Sequence, residues 1–214
     1  DMRDICPKVY DQENEGSCTG NGIAANIEID EIKQGNLNPF TPSRNYIYYN
    51  ERVLEGTVDQ DSGARISDGI KTLNKYGICS EKMWPYDTSK FTVKPSEDCY
   101  VAAKITCGTF KTKRLFPILN QLKQCIIEGN PFVFGFTVYE SFEYENVSKT
   151  GIMTIPKSGE KLLGGHCVCA VGFDDLKKVF IVRNSWGENW GDKGYFYMPY
   201  DFITNREYTS DFQT

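Results

Sequence analysis

Apolar residues recur at helical intervals through the first half of the chain. The pattern predicts helices over residues 18–33 and 44–54, and a third helix that includes residues 66–73. Each run is followed by a glycine of the kind that ends helices; these are Gly35, Gly56 and Gly77. The connections between the runs contain proline and are expected to be irregular.

The period of the pattern changes in the second half. One further helical stripe comes first, formed by Leu115, Leu119, Leu122 and Ile126 and ended by Gly129. Strand-like runs follow it; they cover residues 132–139, 166–173, 178–184 and 194–198. A helical half followed by an antiparallel sheet half predicts the α+β class.

Composition narrows the possible functions. The chain has 214 residues, of which 40% are hydrophobic, so it can bury the core of one or two small domains. Its net charge of −5 offers no basic surface for nucleic acid. No apolar run reaches the roughly 18–20 residues that a membrane helix needs. We therefore expect no nucleic-acid partner and no membrane span.

Cys18 has an environment that favours a reactive thiol. It lies in the first turn of the first predicted helix, with Ser17 near the N-cap. Unpaired backbone N–H groups and the helix dipole favour negative charge there. A thiol in such a place can have a pKa of ~3.5–7.5, compared with about 8.5 for a free cysteine. The alternative is one more buried structural cysteine among eight.

The chain contains a single histidine, His166, which makes it the one imidazole available as a proton carrier. Gly164 and Gly165 precede it, and glycines there let another chain approach closely. Asn184 follows a later strand-like run. A cysteine, a histidine and an orienting amide are the groups that activate a thiol nucleophile.

These residues and their spacing resemble the papain-type (C1) cysteine proteases. His166 follows Cys18 by 148 residues, within the range of about 130–150 for that family. Gln12 precedes Cys18 by six residues, which is also the spacing of the family. The motifs that carry the resemblance are Gln12, Gly16-Ser17-Cys18, Gly165-His166, Asn184-Ser185-Trp186-Gly187, Trp190-Gly191 and Gly194-Tyr195.

The resemblance implies the two-domain papain fold, with the active site in the cleft between a helical and a β-rich half. We place the helical domain, which carries the nucleophile, at residues 8–105. The β-rich domain with the histidine and the asparagine covers 106–214, and the terminal segments are expected to cross over. Asp1-Met2-Arg3 resembles a stretch a few residues inside mature enzymes of the family, so the sequence is expected to start after a cleavage or at a boundary within a longer chain.

The resemblance also assigns catalytic roles. Cys18 would be the nucleophile and His166 the general acid and base. Asn184 would accept a hydrogen bond from the imidazole, and Gln12 would donate to the oxyanion. A packed histidine, a turn asparagine and an exposed loop glutamine are the alternatives.

Six further residues are implied as binding residues. Trp186 would shield the hydrogen bond between His166 and Asn184, and Trp190 would form a wall on the leaving-group side. Gly16, Ser62, Gly63 and Gly165 would meet the main chain of an extended peptide. For Gly63, an ordinary turn glycine is an equally good interpretation.

The cysteines depart from the family pattern. Secreted papain-like enzymes carry a cysteine three residues before the nucleophile, which pairs with one near a glycine-rich loop. Glu15 occupies that position here, and no cysteine lies between Cys18 and Cys79. Cys167 and Cys169 share a strand face opposite His166 and are interpreted as small buried residues.

We therefore expect a bacterial or viral type of the family in a reducing environment, intracellular or virus-associated. A lysosome-like or secreted enzyme, freed from its pro-segment, is the alternative. Two further departures are Thr19, where the family usually has tryptophan, and Gly165, where the residue is often polar.

The predicted function is that of a monomeric cysteine endopeptidase that forms a thioester and needs no metal or organic cofactor. Its partners would be peptide or protein substrates and a pro-segment or inhibitor in the cleft. The alternatives are an acyl transferase of transglutaminase type, a cell-wall amidase, or an inactive binding homologue. A zinc site of His166, Cys167 and Cys169 is disfavoured, because neighbouring strand residues point to opposite faces.

Overall fold

The computed structural model describes residues 1–36 and 39–214. Their contacts form two compact units. The sheet unit comprises Asp1–Asp11 and Arg114–Thr214, and the helical unit comprises Gln12–Lys113. The α+β class predicted from the sequence is confirmed. The predicted domain boundaries, 8–105 and 106–214, stay a prediction, because compactness does not show which segments fold independently.

The described residues of the helical unit form four α-helices. The first three confirm the sequence pattern, and the fourth is too short for a periodic signal. Their bounds are α1 Cys18–Lys33, α2 Arg44–Glu55, α3 Ile66–Tyr76 and α4 Glu97–Ala103. Residues 19–29 of α1 are all buried, so this helix forms the centre of the unit.

The predicted stop signals lie where they were expected. Gly35, Gly56 and Gly77 all have positive φ and directly follow or lie just beyond a helix end. At the other end of α2, Ser43 caps the helix, and its hydroxyl accepts a hydrogen bond from the backbone N–H of Tyr46. The helix bounds are therefore set by local residues that the sequence displays.

The sheet unit is built on one five-stranded antiparallel sheet with the order β4-β3-β2-β1-β5. Its strands are β1 Phe132–Tyr139, β2 Leu162–Asp174, β3 Val179–Arg183, β4 Tyr195–Pro199 and β5 Thr209–Gln213. Three short helices complete it: α5 Leu119–Ile127, α6 Glu145–Thr150 and α7 Tyr200–Ile203. None of the helices in the described residues is long and apolar enough to span a lipid bilayer.

The structure differs from the sequence pattern in three places of the sheet unit. The strand β5 was not predicted, and β2 begins four residues before His166. Leu115 was assigned to the helical stripe but lies before α5, where it packs into the core. It is also hydrogen-bonded to the backbone of Phe212 in β5. A buried apolar residue before a helix can continue the helical period without being helical.

One face of the sheet carries an aromatic core. The core includes Phe132, Phe134, Phe136, Phe142, Phe180, Phe196, Phe202 and Phe212. In the register of β1 with β2, Phe136 lies opposite His166 and Phe134 lies opposite Val168. The side chain of His166 therefore belongs to the aromatic face, whereas Cys167 and Cys169 belong to the other face.

The N-terminal segment is held along the sheet unit. Buried Arg183 at the end of β3 donates to the carbonyl oxygens of Pro7 and Lys8, each at 2.6 Å. Further on, the N–H of Gly187 donates to the carbonyl of Tyr10 at 2.9 Å. The loop that follows Asn184 is therefore bound to the start of the chain.

Candidate active site

His166 is fixed by one hydrogen bond to an amide. Its Nε2 atom lies 2.7 Å from Oδ1 of Asn184, with both residues buried. Since an amide oxygen only accepts, Nε2 must carry the proton of this bond. This leaves Nδ1 as the ring nitrogen that can exchange a proton with another group.

Asn184 follows β3 directly and is itself held in place. Its Oδ1 also accepts from the backbone N–H of Ser185 at 2.9 Å. Its own N–H donates to the carbonyl of Gly194 at 3.0 Å. The Nδ2 atom is buried and has no partner among the described residues. Two donors on Oδ1 thus fix the orientation of the amide, with its oxygen toward the imidazole.

Aromatic rings surround the imidazole. Trp186 stacks on it with ring centroids 4.9 Å apart and planes 27° apart. Phe136 approaches it edge-on at 5.7 Å, and Trp190 packs against Trp186 at 5.1 Å. The indole of Trp186 thus covers the imidazole that bonds to Asn184.

This apolar environment controls the protonation of His166. Burial disfavours the charged ring and lowers its pKa to about 4, although the hydrogen bond to Asn184 opposes part of the decrease. A nearby anion would raise the pKa again. Within the sheet unit alone, the imidazole is therefore neutral at neutral pH.

Gly165 lies beside the histidine in an exposed part of β2. A Cβ atom added to Gly164 or Gly165 would meet no atom of the described residues within 4 Å. The close approach expected from these glycines therefore does not come from a described part of this chain. The space is open to a ligand.

Cys18 is the first residue of α1 and is half-buried. Ser17 occupies the N-cap position, as predicted, but its side chain does not cap the helix. Its hydroxyl lies 2.6 Å from that of Tyr86 and accepts from Nδ2 of Asn21 at 3.1 Å. The first turn of α1 thus keeps backbone N–H groups that favour an anion at Cys18.

Gly20, two residues after Cys18, lies where α1 has no room for a side chain. A Cβ atom there would lie 2.7 Å from the carbonyl oxygen of Arg44, at the start of α2. This is closer than real Cβ contacts, and the neighbour is backbone. The close approach of the α2 backbone therefore excludes a side chain at this position.

Thr19 replaces the usual tryptophan and has a partner of its own. Its hydroxyl donates to Oε2 of Glu51 in α2 at 2.6 Å. Glu51 has no exposed surface, and burial raises its pKa to about 8. The residue next to Cys18 is therefore anchored to a carboxyl group that is largely neutral at neutral pH.

Gln12 is buried and lies at the start of the loop that leads to Cys18. Its Nε2 atom donates to the carbonyl of Glu15 at 2.8 Å. Glu15 is also buried, and burial raises the pKa of its carboxyl group. Gln12 is thus held by the loop rather than being the exposed residue of the alternative interpretation.

Tyr86 joins both ends of this loop, a role that the sequence did not reveal. Its hydroxyl donates to the carbonyl of Gln12 at 2.8 Å and lies 2.6 Å from Oγ of Ser17. The guanidinium of Arg44 stacks on its ring at 3.9 Å. The sequence showed Tyr86 only as part of a proline-bearing connection, with no signal for this contact.

Gly16, Ser62 and Gly63 lie together. A Cβ atom on Gly16 would be 3.2 Å from the backbone N of Gly63. The N–H of Gly63 donates to the hydroxyl of Tyr48 at 3.1 Å. That N–H is consequently occupied within the protein. Ser62 is exposed, and its hydroxyl donates to Thr57 and to the carbonyl of Gly63.

The cysteines are consistent with the sequence interpretation. No disulfide joins any of the eight cysteines in the described part of the chain. Cys167 and Cys169 are buried, which confirms their interpretation as small core residues. Burial also raises the pKa of Cys79, so that thiol is unreactive.

The predicted site residues thus form two groups, one in each unit. The helical unit brings together the loop and turn residues around the thiol, and the sheet unit brings together the residues around the imidazole. The first group is Gln12, Gly16, Cys18, Ser62 and Gly63. The second group is Gly165, His166, Asn184, Trp186 and Trp190.

Comparison with known proteins gives the family. The family model described as papain family cysteine protease matches residues 1–209. The crystal structure of xylellain, a cysteine protease from Xylella fastidiosa, is similar with a TM-score of 0.92 and 43% identity. The match covers 97% of this chain and 81% of that one.

Two curated relatives agree with this. The uncharacterized peptidase C1-like protein L477 of Acanthamoeba polyphaga mimivirus is 49% identical, over 94% of this chain and 67% of that protein. Cysteine proteinase 2 of Entamoeba histolytica is 31% identical, over 89% of this chain and 59% of that protein. The chain thus spans about three fifths to two thirds of the length of these relatives. Together with the order of thiol, imidazole and amide, these matches show that the chain belongs to the papain family of cysteine proteases.

Proposed function

We propose that this chain hydrolyses peptide bonds as a cysteine endopeptidase in which Cys18 and His166 act on the same bond. The observation that carries the proposal is the hydrogen bond from Nε2 of His166 to Asn184, at 2.7 Å. It commits one ring nitrogen and leaves Nδ1 for proton exchange with the thiol and the leaving amine. The family assignment favours this activity over the acyl-transferase and amidase alternatives.

The first half of the reaction forms a thioester. The Cys18 thiolate attacks the peptide carbonyl carbon, and the negative charge moves to the carbonyl oxygen. The side-chain amide of Gln12 and the backbone N–H of Cys18 are the proposed donors to that oxyanion. Protonated Nδ1 of His166 then gives its proton to the leaving amine as the carbon–nitrogen bond breaks.

The second half hydrolyses the thioester. Neutral His166 takes a proton from water, and the resulting hydroxide attacks the thioester carbonyl. The carbon–sulfur bond breaks, the carboxylic acid leaves, and the thiolate and imidazolium are restored. Asn184 keeps the ring in one tautomer throughout, and Trp186 keeps water from this hydrogen bond. Trp190 packs behind it on the proposed leaving-group side.

The experiment that tests the proposal is the substitution Cys18→Ala. We expect it to abolish cleavage of a fluorogenic peptide and the labelling of residue 18 by iodoacetamide, followed by peptide mass spectrometry. Cys107→Ala is the matched control, because Cys107 is an exposed thiol on the surface of the helical unit. Peptide turnover that survives in Cys18→Ala would refute the proposed nucleophile.

The proposed partners are peptide or protein substrates bound in extended form, and a pro-segment or inhibitor that occupies the same site. Exposed Gly165 and the open space beside it support binding of main chain near His166.

We propose that the protein acts as a monomer. Sedimentation of the active enzyme should give the mass of one chain, and a stable dimer would contradict this.

We further propose a reducing environment, intracellular or virus-associated, for the working enzyme. The absence of disulfides among the described residues supports it. Full activity after purification with a thiol reductant is the expected result. Activity that requires an oxidising step would instead favour the lysosome-like or secreted alternative.

A further inference from the structure

We propose that Asp61 is a positioning residue that, together with Tyr48, holds the main chain of residues 62–64 beside Gly16 for peptide binding. The inference rests on the proposed function, because it concerns where the peptide substrate lies. It goes further by assigning a task to two side chains outside the family motifs. Both side chains and both loops that they join belong to the helical unit.

Asp61 links the two loops directly. Its Oδ1 and Oδ2 atoms lie 2.9 and 3.0 Å from the backbone N of Gly16, two residues before the nucleophile. Its Oδ1 also accepts from the hydroxyl of Tyr48 at 2.5 Å. A carboxylate accepts such bonds more strongly than a neutral group. The charge of Asp61 is therefore used to fix the loop that carries Cys18.

Tyr48 completes the link on the other side. Its hydroxyl donates to Asp61 and accepts from the N–H of Gly63 at 3.1 Å, so its proton and a lone pair are both used. The side chain has no exposed surface, so it cannot rotate away without opening the core. Gly16 and Gly63 are thereby bonded to the same pair of side chains.

Arg52 supports Tyr48 from the next turn of α2. Its guanidinium lies 4.0 Å from the ring centroid of Tyr48 and is fully buried. It donates to the carbonyls of Val58 and Gln60 at 2.8 and 3.2 Å. Residues four apart share one helix face. That face of α2 therefore holds the whole turn that leads to Gly63.

This link determines which backbone groups a peptide can meet. The N–H of Gly63 is occupied by Tyr48, and its φ of +72° turns the chain sharply. An alanine there would be strained even though its Cβ would meet only the carbonyl of Gly16, at 3.8 Å. The edge open to an extended peptide is therefore the chain directly after this turn, with its distance to Cys18 set by Asp61.

The test compares Asp61→Ala, Asp61→Asn and Tyr48→Phe on two substrates. One is a fluorogenic peptide with several residues on the acyl side, and the other is a nitrophenyl ester with a single acyl residue. For Asp61→Ala we expect kcat/KM on the peptide to fall about tenfold, mainly through KM. Turnover of the ester should stay within about twofold, because it does not reach residues 62–64.

The conservative variants refine the result. Asp61→Asn keeps an accepting oxygen and should recover part of the peptide activity. Tyr48→Phe should resemble Asp61→Ala, and the double variant should lose less than the product of the two single losses. The matched controls are Asp59→Asn in the same turn and Tyr49→Phe on the same helix, which should leave both substrates unaffected.

Two results would overturn the inference. One is an equal loss on peptide and ester, which would mean that Asp61 supports the chemistry or the fold in general. The other is an unchanged KM for the peptide. Amide hydrogen exchange at Gly16 and Gly63 provides a readout without turnover, and faster exchange in Asp61→Ala is expected. If the unmodified enzyme cleaves no peptide, the proposed function fails, while the exchange data still decide whether the link exists.

Discussion

His166 lies in an environment that opposes its own protonation. Burial between Trp186 and Phe136 lowers its pKa to about 4, and only the hydrogen bond to Asn184 opposes this. A neighbouring thiolate would stabilise the imidazolium by its opposite charge. The imidazolium of the proposed mechanism would therefore depend on a thiolate at Cys18.

The single histidine makes this coupling directly measurable. In Cys18→Ala the His166 ring should titrate near pH 4, because no thiolate is present. In the intact enzyme it should titrate at higher pH. Proton NMR of the one imidazole needs no assignment, and Cys107→Ala is the control that should behave like the intact enzyme. Equal titration curves with and without Cys18 would contradict the proposed pairing.

Asn184 should raise the pKa of the same ring. Replacing it by alanine removes the acceptor for Nε2, so in the Cys18→Ala background the pKa of His166 should fall further. On an intact thiol, Asn184→Ala should reduce kcat by at least about tenfold, since the ring loses its fixed tautomer. Unchanged kcat would reduce Asn184 to a structural turn residue.

The residues with chemical roles were predictable where spacing along the chain identifies them. Cys18, the first residue of α1, follows Gln12 by six residues, and that spacing is visible in the sequence. Asp61 and Tyr86 were not predictable. Their contacts to Gly16 and Gln12 bridge 45 and 74 positions, and they depend on how α2 and the later loops pack.

At the scale of elements, the loop from Gln12 to Ser17 is held at both ends by one side chain from a later loop. Tyr86 bonds the carbonyl of Gln12 at one end and the hydroxyl of Ser17 at the other. Arg44, at the start of α2, covers the tyrosine ring and donates to Asn21 of α1 at 3.1 Å. The position of the proposed oxyanion donor thus depends on a distant loop.

Substitution of Tyr86 by phenylalanine tests whether the Tyr86 hydroxyl positions this loop. It removes the two hydroxyl contacts and keeps the ring on which Arg44 stacks. Each lost bond is worth about 0.5–1.5 kcal/mol, so kcat for a peptide should fall about 3- to 10-fold. KM should change less than kcat, because the two lost contacts are to Gln12 and Ser17, and neither of these is a proposed peptide contact. Tyr144→Phe, an exposed tyrosine, is the control, and an effect confined to KM would contradict the interpretation.

The elements themselves were predictable where local signals were strong. Helices α1, α2 and α3 have both an apolar period and a terminal glycine, and the sequence contains both. Strand β5 has neither. Of its residues Thr209–Gln213, only Thr209 and Phe212 are buried, and the strand forms by pairing with β1 at the edge of the sheet. A strand defined by its partner cannot be recognised from its own residues.

At the scale of the whole molecule, the fold is held without covalent cross-links between the described residues. Glu15 stands where secreted relatives have a cysteine, and hydrogen bonds through Asp61 connect the neighbouring Gly16 to the turn before Gly63. Non-covalent contacts of this kind are insensitive to reductant. The stability of the chain should therefore not depend on redox conditions.

A thiol titration checks this. The unfolded protein, prepared without reductant but protected from air, should react as eight thiols. A reductant should leave the urea midpoint of the folded protein unchanged, because no disulfide constrains the unfolded chain. Fewer than eight thiols together with a midpoint lowered by reductant would contradict a disulfide-free fold.

Two buried ionisable groups give the stability of the molecule opposite dependences on pH. His166 has a lowered pKa of about 4, so its neutral form is favoured by folding. The stabilisation that this gives to the folded state is present above the ordinary histidine pKa of 6.5, and it is lost as the pH falls from 6.5 through 4. Glu51 has a raised pKa of about 8. The stabilisation that the protonated Glu51 gives to the folded state is present below the ordinary glutamate pKa of 4.5, and it is lost as the pH rises through 8.

In the Cys18→Ala background, where no thiolate perturbs His166, these two dependences should nearly cancel between pH 4.5 and 6.5. In that range the histidine is protonated in the unfolded state but not in the folded state. The glutamate is protonated in the folded state but not in the unfolded state. Above pH 6.5 the glutamate contribution acts alone and stability should fall. A broad maximum on the acidic side of neutrality is therefore expected from this pair of groups.

Replacing Glu51 by glutamine in that background isolates the glutamate. Glutamine keeps an acceptor for Thr19 and cannot ionise, so the variant should become more stable relative to its parent by roughly 1.4 kcal/mol per pH unit between pH 4.5 and 8. Urea unfolding at several pH values measures this difference. Glu143→Gln, at an exposed glutamate, should give a curve parallel to that of the parent. If the difference in stability between Glu51→Gln and the parent does not change with pH, Glu51 is ionised inside the fold. The positive charge that would favour this ionisation is that of Arg52 in the same helix.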